Sequence, residues 1–116
     1  MASDPLTRRD AGIAVVGAGP EGHGRILRAN HALAALLARP LPSLVGTRLC
    51  EHLHRDDQAR VARALSRLLT SPETLYEADA RLVAAAGREV RVHAVASVIT
   101  MRDGRAIIIR VLAPQQ

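Results

Sequence analysis

Apolar and polar positions change period along the chain, and each change marks off an element. Gly12 to Val16, GIAVV, reads as a short strand, and Gly24 to Ala29, GRILRA, as a second, the two joined through a glycine-rich stretch into a hairpin. From His31 the period becomes helical. Leu33, Leu36 and Leu37 recur on one face, Asn30 stands at the N-cap position with a side-chain oxygen for the free amides, and Pro40 stops the helix. Pro42 to Gly46 and Thr47 to Leu53 have room only for brief helical turns. The strongest helical period lies in HRDDQARVARALSRLLTS, where Val61, Leu65, Leu68 and Leu69 share a face and Arg60, Arg63 and Arg67 lie off it. Asp56 or Asp57 would cap this helix, and Asp57 is the cap expected to matter for stability.

From Leu75 the period shortens to two. LYEADARLV, REVRVHAVASVIT and RAIIIRVLA predict consecutive antiparallel strands with turns at Ala86-Gly87 and Asp103-Gly104. The middle strand carries Val90, Val92, Ala94, Ala96 and Val98 on one face, while its other face passes from Arg91 and His93 to Val95 and Ile99. Ile107, Ile108 and Ile109 are apolar on both faces. A sheet with one solvated face alternates throughout, so part of the second face must be covered. In Met1 to Ala11, Leu6 is the only large apolar residue besides Met1, too little to cover it alone. The expectation is a homodimer through Leu6, Val95, Ile99 and whichever of Ile107, Ile108 and Ile109 points outward, a twofold contact being the commonest solution.

Gly17, Gly19 and Gly22 fall on the G-x-G-x-x-G spacing of a dinucleotide-binding turn, directly after an apolar run. The context argues against that reading. Gly24 follows two residues past the third glycine, Arg25 occupies a packing position that takes a small residue, and Ala38 to Pro42 supplies no carboxylate for a ribose. A turn made permissive by its glycines remains.

At 116 residues the chain fits one domain. Tyr76 is its only aromatic residue although 48% of positions are hydrophobic, so the core must be aliphatic. The net charge of +5 comes with sixteen basic residues that are all arginine, scattered from Arg8 to Arg110 without aromatic platforms for bases, which describes a solvated surface and not a nucleic-acid face. Cys50 is single, so no internal disulfide or multi-cysteine zinc site can form. Met1 to Asp10 lacks the apolar core of a signal peptide and no run approaches membrane-spanning length, so a cytoplasmic location is expected.

The order strand, strand, short helices, long helix, three strands resembles the PAS sensor-domain family over Gly12 to Ala113. GRILRAN looks like the family's second strand running into its capping asparagine, here Asn30. VGTRLCEHLHRDD, Val45 to Asp57, is similar to the family's glycine, short helix and "H-P-x-D" step into the long helix, with Arg55 in place of the proline. YEADARLVAAAG, Tyr76 to Gly87, is similar to the third strand and its "D-G" turn, with Ala86 in place of the aspartate. The resemblance implies an α+β fold, a PAS-like five-stranded antiparallel sheet with helices on one face, over residues 12–113, flanked by an N-terminal cap or linker (1–11) and a C-terminal tail (114–116). It also implies a bacterial-type sensory or regulatory module of signal transduction, not an enzyme, with output in an effector partner or in a longer parent chain. A small apolar ligand would sit in an aliphatic pocket. Ile13, Val15, Ile26 and Leu36 are its expected lining from the first half of the chain; Leu53, Val61 and Leu65 are those from the second. A pure dimerisation module with a filled core stays open as the alternative, and a dinucleotide-binding enzyme fragment as a more remote one.

Sharper chemistry finds little support. Flavin-binding, light-responsive relatives carry an "N-C-R-F-L-Q" box; the matching stretch here is Thr47 to His52, with the cysteine displaced by one position and the asparagine and glutamine missing. Haem-binding relatives use a histidine in the long-helix region, but Gln58 to Leu69 contains none, and His52 and His54 precede it. His23, His31 and His93 have no partners at metal-ligand spacing. Ser66 and Ser97 lack the context of a catalytic triad, and the Asp56-Asp57 pair is placed for capping. No cofactor, metal or catalytic residue is expected.

Overall fold

The computed structural model describes residues 11–18, 24–72, 75–102 and 104–113. The strands are β1 (Gly12–Gly17), β2 (Ile26–Ala29), β3 (Leu75–Val83), β4 (Glu89–Met101) and β5 (Gly104–Leu112); the helices are α1 (His31–Leu37) and α2 (Arg55–Thr70). Single 3-10 turns occupy Leu41–Ser43, Leu49–His52 and Ala85–Gly87. The strands form one five-stranded sheet in the order β2-β1-β5-β4-β3, antiparallel throughout. The chain therefore enters in the middle of the sheet, crosses through its helices, and returns as a β3-β4-β5 meander.

Asn30 is the hinge between sheet and helix. Its backbone is extended at φ −105°, its Oδ1 accepts from the Leu33 amide at 3.0 Å to cap α1 and from the Ile13 amide at 2.9 Å, and its Nδ2 donates to the Ala11 carbonyl at 3.0 Å. One side chain thus caps a helix and fastens the start of β1. Asn30→Ala is expected to cost about 2 kcal/mol, the lost cap together with part of the strand bonds, whereas Asn30→Asp, which keeps the acceptor, should cost less. Equilibrium urea unfolding measures both; an alanine variant as stable as the parent would remove Asn30 from this role. At the other end of α1, Ala38 takes the left-handed conformation (φ 53°) and its amide returns to the Ala34 and Ala35 carbonyls before Pro40 prevents continuation. Gly12 lies where this helix crosses β1, and a Cβ there would come within 2.8 Å of Val111 Cγ2 and 3.1 Å of the Leu33 Cα. The residue is a contact glycine.

Helix α2 starts earlier than its apolar period indicates, and its cap corrects the expectation for Asp57. His54 is the N-cap: its Nδ1 accepts from the Asp56 amide at 3.0 Å. Asp57 sits inside the first turn, buried, and reaches sideways to β3. A carboxylate one turn in cannot fold back onto the leading amides while holding a partner on another element.

The core lies between the helices and one face of the sheet. Strand parity and register assign that face: Ala14 pairs with Ile109 and Val16 with Ile107, and Ile109 in turn with Ala96. All five are buried, beside Leu33 and Leu37 of α1 and Val61 and Leu68 of α2. After the glycine turn the chain continues as strand β2, not as the helix a dinucleotide site needs; Gly19, Gly22 and His23 lie outside the described residues. So do residues 1–10 and 114–116, hence Leu6 and the proposed tail.

Candidate functional site

Small voids among the described residues lie between the helices and the sheet, and two of them bear on the expected pocket. The larger, about 40 Å³, is walled by Leu53, Val61 and Leu65 from the helical side, with Ala78, Ala80 and Ala94 among its sheet residues. The smaller, about 20 Å³, lies against α1 and includes Ile26 and Leu37. Leu49, Leu82, Ile109 and Val111 border both and separate them. Leu36 packs against the core without lining either. Ile13 and Val15 belong elsewhere: they alternate with the buried Ala14 and Val16 and lie on the opposite face of β1, paired with Arg110 and Ile108. The expectation that they line the interior is corrected by strand parity.

His52, at the end of the second 3-10 turn, is the one polar residue of the smaller void's wall and is 6% exposed. Its Nε2 lies 2.9 Å from Thr47 Oγ1, and that hydroxyl spends its single proton on the Leu44 carbonyl at 2.6 Å. The hydroxyl must therefore accept, so His52 is the Nε2-protonated tautomer. Burial, and then the charge of Arg39, hold its pKa below the usual histidine value. It is a neutral, structurally engaged imidazole. Cys50 is half-buried, and burial pushes its thiol pKa up, the opposite of an activated nucleophile.

The outer face of the sheet presents a row of partly exposed aliphatic side chains. Val15 pairs with Ile108 across β1 and β5, and Ile13 and Val95 flank Arg110 from either side. Ile99 pairs with Ala106 further along. Leu75 at 55% and Leu112 at 43% exposure extend the patch at its margins. Of the three consecutive isoleucines, Ile107 and Ile109 are buried in the core, 2% and 6% exposed, and only Ile108 points outward. The expectation that Ile107 and Ile109 belong to an interface is thereby corrected. Leu6, the remaining member, lies outside the described residues.

A polar cluster unforeseen in the sequence sits where α2 meets β3. Asp57 Oδ2 accepts from the Arg81 backbone amide at 2.9 Å and from Arg81 Nε at 3.1 Å, while Oδ1 accepts from Arg81 Nη2 at 2.8 Å. Arg60 Nη2 lies 3.4 Å from the same Oδ1. These donors hold the Asp57 carboxyl far below the ordinary carboxylate range, the Arg81 side chain contributing most. The neighbouring backbone is tied the same way: the His54 amide donates to the Arg81 carbonyl at 2.9 Å, and Arg60 Nη2 to the Asp79 carbonyl at 3.0 Å. On the outer face, His93 lies between two carboxylates, its Nδ1 2.8 Å from Asp79 and its Nε2 2.6 Å from Glu77. Carboxylates only accept, so contact through both ring nitrogens requires the imidazolium; these bonds, Asp79 first, raise the His93 pKa. The sequence signal for this cluster is the period-two run Glu77, Asp79, Arg81 facing Arg91 and His93, legible only once the strand pairing is known.

Among the described residues no group of three or more His, Cys, Asp or Glu side chains is placed to hold a metal ion, and no helix is long and apolar enough to cross a membrane.

Comparison with known proteins adds to this geometry. The family model of the PAS fold matches residues 26–112. No curated protein matches the chain in sequence. Among solved structures, the PAS domain of an HTR-like protein from Haloarcula marismortui superposes with a TM-score of 0.72 at 14% identity, over 95% of this chain and 87% of that one. A PAS domain from a two-component sensor histidine kinase gives 0.72 at 15% identity, over 90% and 85% of the two chains. The wild-type PAS-B domain of Drosophila melanogaster Cycle, with bound ethylene glycol, gives 0.75 at 13% identity, over 89% and 99%. At such identities the likeness is one of fold.

Proposed function

The chain belongs to the PAS fold family, and we propose that it is a sensory or regulatory module of signal transduction that acts as a homodimer through its outer sheet face. The observation that carries this reading is the aliphatic row of Ile13, Val15, Val95, Ile99 and Ile108, which no described segment of the chain covers. Its output lies in an effector partner or in a longer parent chain, and the domain itself performs no catalysis. Its place is the cytoplasm.

The interior supports a modest sensory role. Voids of about 20 and 40 Å³ are far smaller than the roughly 300–1,000 Å³ of ordinary ligand pockets. A small apolar molecule enters only if Leu49 or Leu82, which separate the voids, swings aside and joins them. Binding would then shift the population between a closed and an opened packing, and the sheet would report the change. Without a ligand that does so, the same geometry describes the alternative, a dimerisation module with a filled core.

Native mass spectrometry with an absorption spectrum of freshly purified protein tests both. A dimer with no absorbance beyond that of Tyr76 is expected, because the Cys50 thiol is not activated and α2 carries no histidine for an iron. A monomer at high micromolar concentration overturns the dimer reading. Stoichiometric haem or flavin overturns the aliphatic interior as the sensing site, and an apolar adduct that survives gentle ionisation decides for the sensor over the bare dimerisation module.

A further inference from the structure

Among the described residues, a concavity of ligand size lies on the flank of the molecule. A groove of about 500 Å³ runs from the first turn of α2 across β3 and β4 to the end of β5, within the size range of small-molecule sites. Its apolar surface comes mainly from Leu112 and Ala113, with Ala80 partly exposed and Val92 buried beneath.

One of its cations, Arg91, has no partner among the described residues. Arg81 is matched by Asp57, which also receives Arg60. His93 is matched by Glu77 and Asp79. Glu89, next to Arg91 on the outer face of β4, lies 4.0 Å from His54 instead. Arg91 forms no hydrogen bond or ion pair among the described residues. Arg91 also sits directly opposite Arg81 across the β3–β4 ladder, an arrangement of like charges that is unfavourable unless an anion intervenes. A forked guanidinium with free donors, next to an apolar floor, is built for a planar two-oxygen anion on an apolar body.

We propose that this groove is a binding site for a small amphipathic monocarboxylate, its carboxylate on Arg91 and its apolar part against Leu112 and Ala113. One guanidinium without a partner meets one carboxylate. A phosphomonoester dianion would leave a second negative charge beside Asp57 and Asp79, with no cation free to meet it. Ala80 and Val92 form the wall between this groove and the larger interior void, and the site stands whether or not the outer face pairs two copies.

The test is a titration of the isotopically labelled full chain with octanoate, followed by amide NMR shifts, with octanol and octyl phosphate as controls. Saturable shifts are expected at Arg81, Arg91, His93 and Leu112, with octyl phosphate binding no more tightly than octanoate and octanol not saturating. Arg91→Gln, an exposed position without a partner, should keep the parent melting temperature and weaken octanoate by about tenfold or more, the size of one charge-assisted hydrogen-bonded contact. Absence of saturation at millimolar octanoate overturns the site. So does saturation with shifts at Leu53, Val61 and Leu65, which assigns the ligand to the interior, or equal affinity in the Arg91→Gln variant. The octanoate-octanol comparison on the unmodified chain keeps the proposal falsifiable should the variant fail to fold.

Discussion

Asp57→Ala is expected to lower stability by about 3 kcal/mol, which for a domain of this size is a fall in melting temperature of roughly 10–20 °C. The carboxylate is 5% exposed and gathers three donors from Arg81, one of them a backbone amide. Removing it strands that amide at the foot of α2. Arg81, with about a third of its side chain exposed, can turn its guanidinium to water, and this holds the cost at the lower end of the range for broken buried pairs. Asp57→Asn keeps an acceptor for the amide, so it should recover part of the loss. The pH dependence has a fixed sign. The folded pKa of Asp57 is depressed, so its contribution is complete above the unfolded value, about 3.9, and is lost as pH falls below that value toward the lower folded one. Asp57→Asn should flatten this acid limb in denaturant unfolding between pH 2 and 6. His93 runs the other way: its folded pKa is raised, so its smaller, solvent-screened contribution fades as pH rises through that raised pKa. An Asp57→Ala protein within 0.5 kcal/mol of the parent would show that the cluster is ornamental.

Ile108→Asp should yield a folded monomer in sedimentation velocity, with the dimer dissociation constant raised by about a hundredfold or more, the effect of truncating or charging a central interface residue. Ile108 stands in the outer row between Val15 and Ser97. Its neighbour supplies the control. Ile107→Asp places a carboxylate where the side chain is 2% exposed in the core, so it should unfold the domain instead of dissociating it. Adjacent residues with opposite phenotypes discriminate an interface from a general loss of stability. If Ile108→Asp remains dimeric, the copies meet elsewhere.

These residues also show where sequence reasoning stops. Asn30, the α2 period and the alternation of β4 were legible because caps and periodicity are local: the residues that declare the element are those that form it. GIAVV and Ile107-Ile108-Ile109 declare a strand but not its faces, since an unbroken apolar run carries no alternation. Only the pairing of Val16 with Ile107 settles which side chains turn inward. That is why Ile13 and Val15 were expected inside, and why all three of Ile107, Ile108 and Ile109 stood as candidates for the outward face. Asp57 looked like a cap because the cap rule is local, whereas its partner lies 24 residues away on another element. Void size is set by how Leu49 and Leu82 pack, which no period encodes. Arg91 looks like any other surface arginine until the ladder places it opposite Arg81.

The bonds that fasten Asp57 and His54 to Arg81 have a consequence for assembly. Between Asp79 and Leu82 the outward-facing main-chain groups of β3 are occupied by α2 and by the bridge of Leu53 to Leu82. At the far end of the sheet, β2 is equally engaged, its Ile26 amide donating to the Thr47 carbonyl and its Ile26 carbonyl accepting from Gly46. Among the described residues neither rim offers a long ladder of free donors and acceptors to a passing strand, and such ladders are what seed fibres and runaway polymerisation. The proposed broadside pairing would close on itself after two copies, so that an aliphatic, arginine-studded α+β domain would carry a flat apolar surface in a crowded solution without lengthening into a filament.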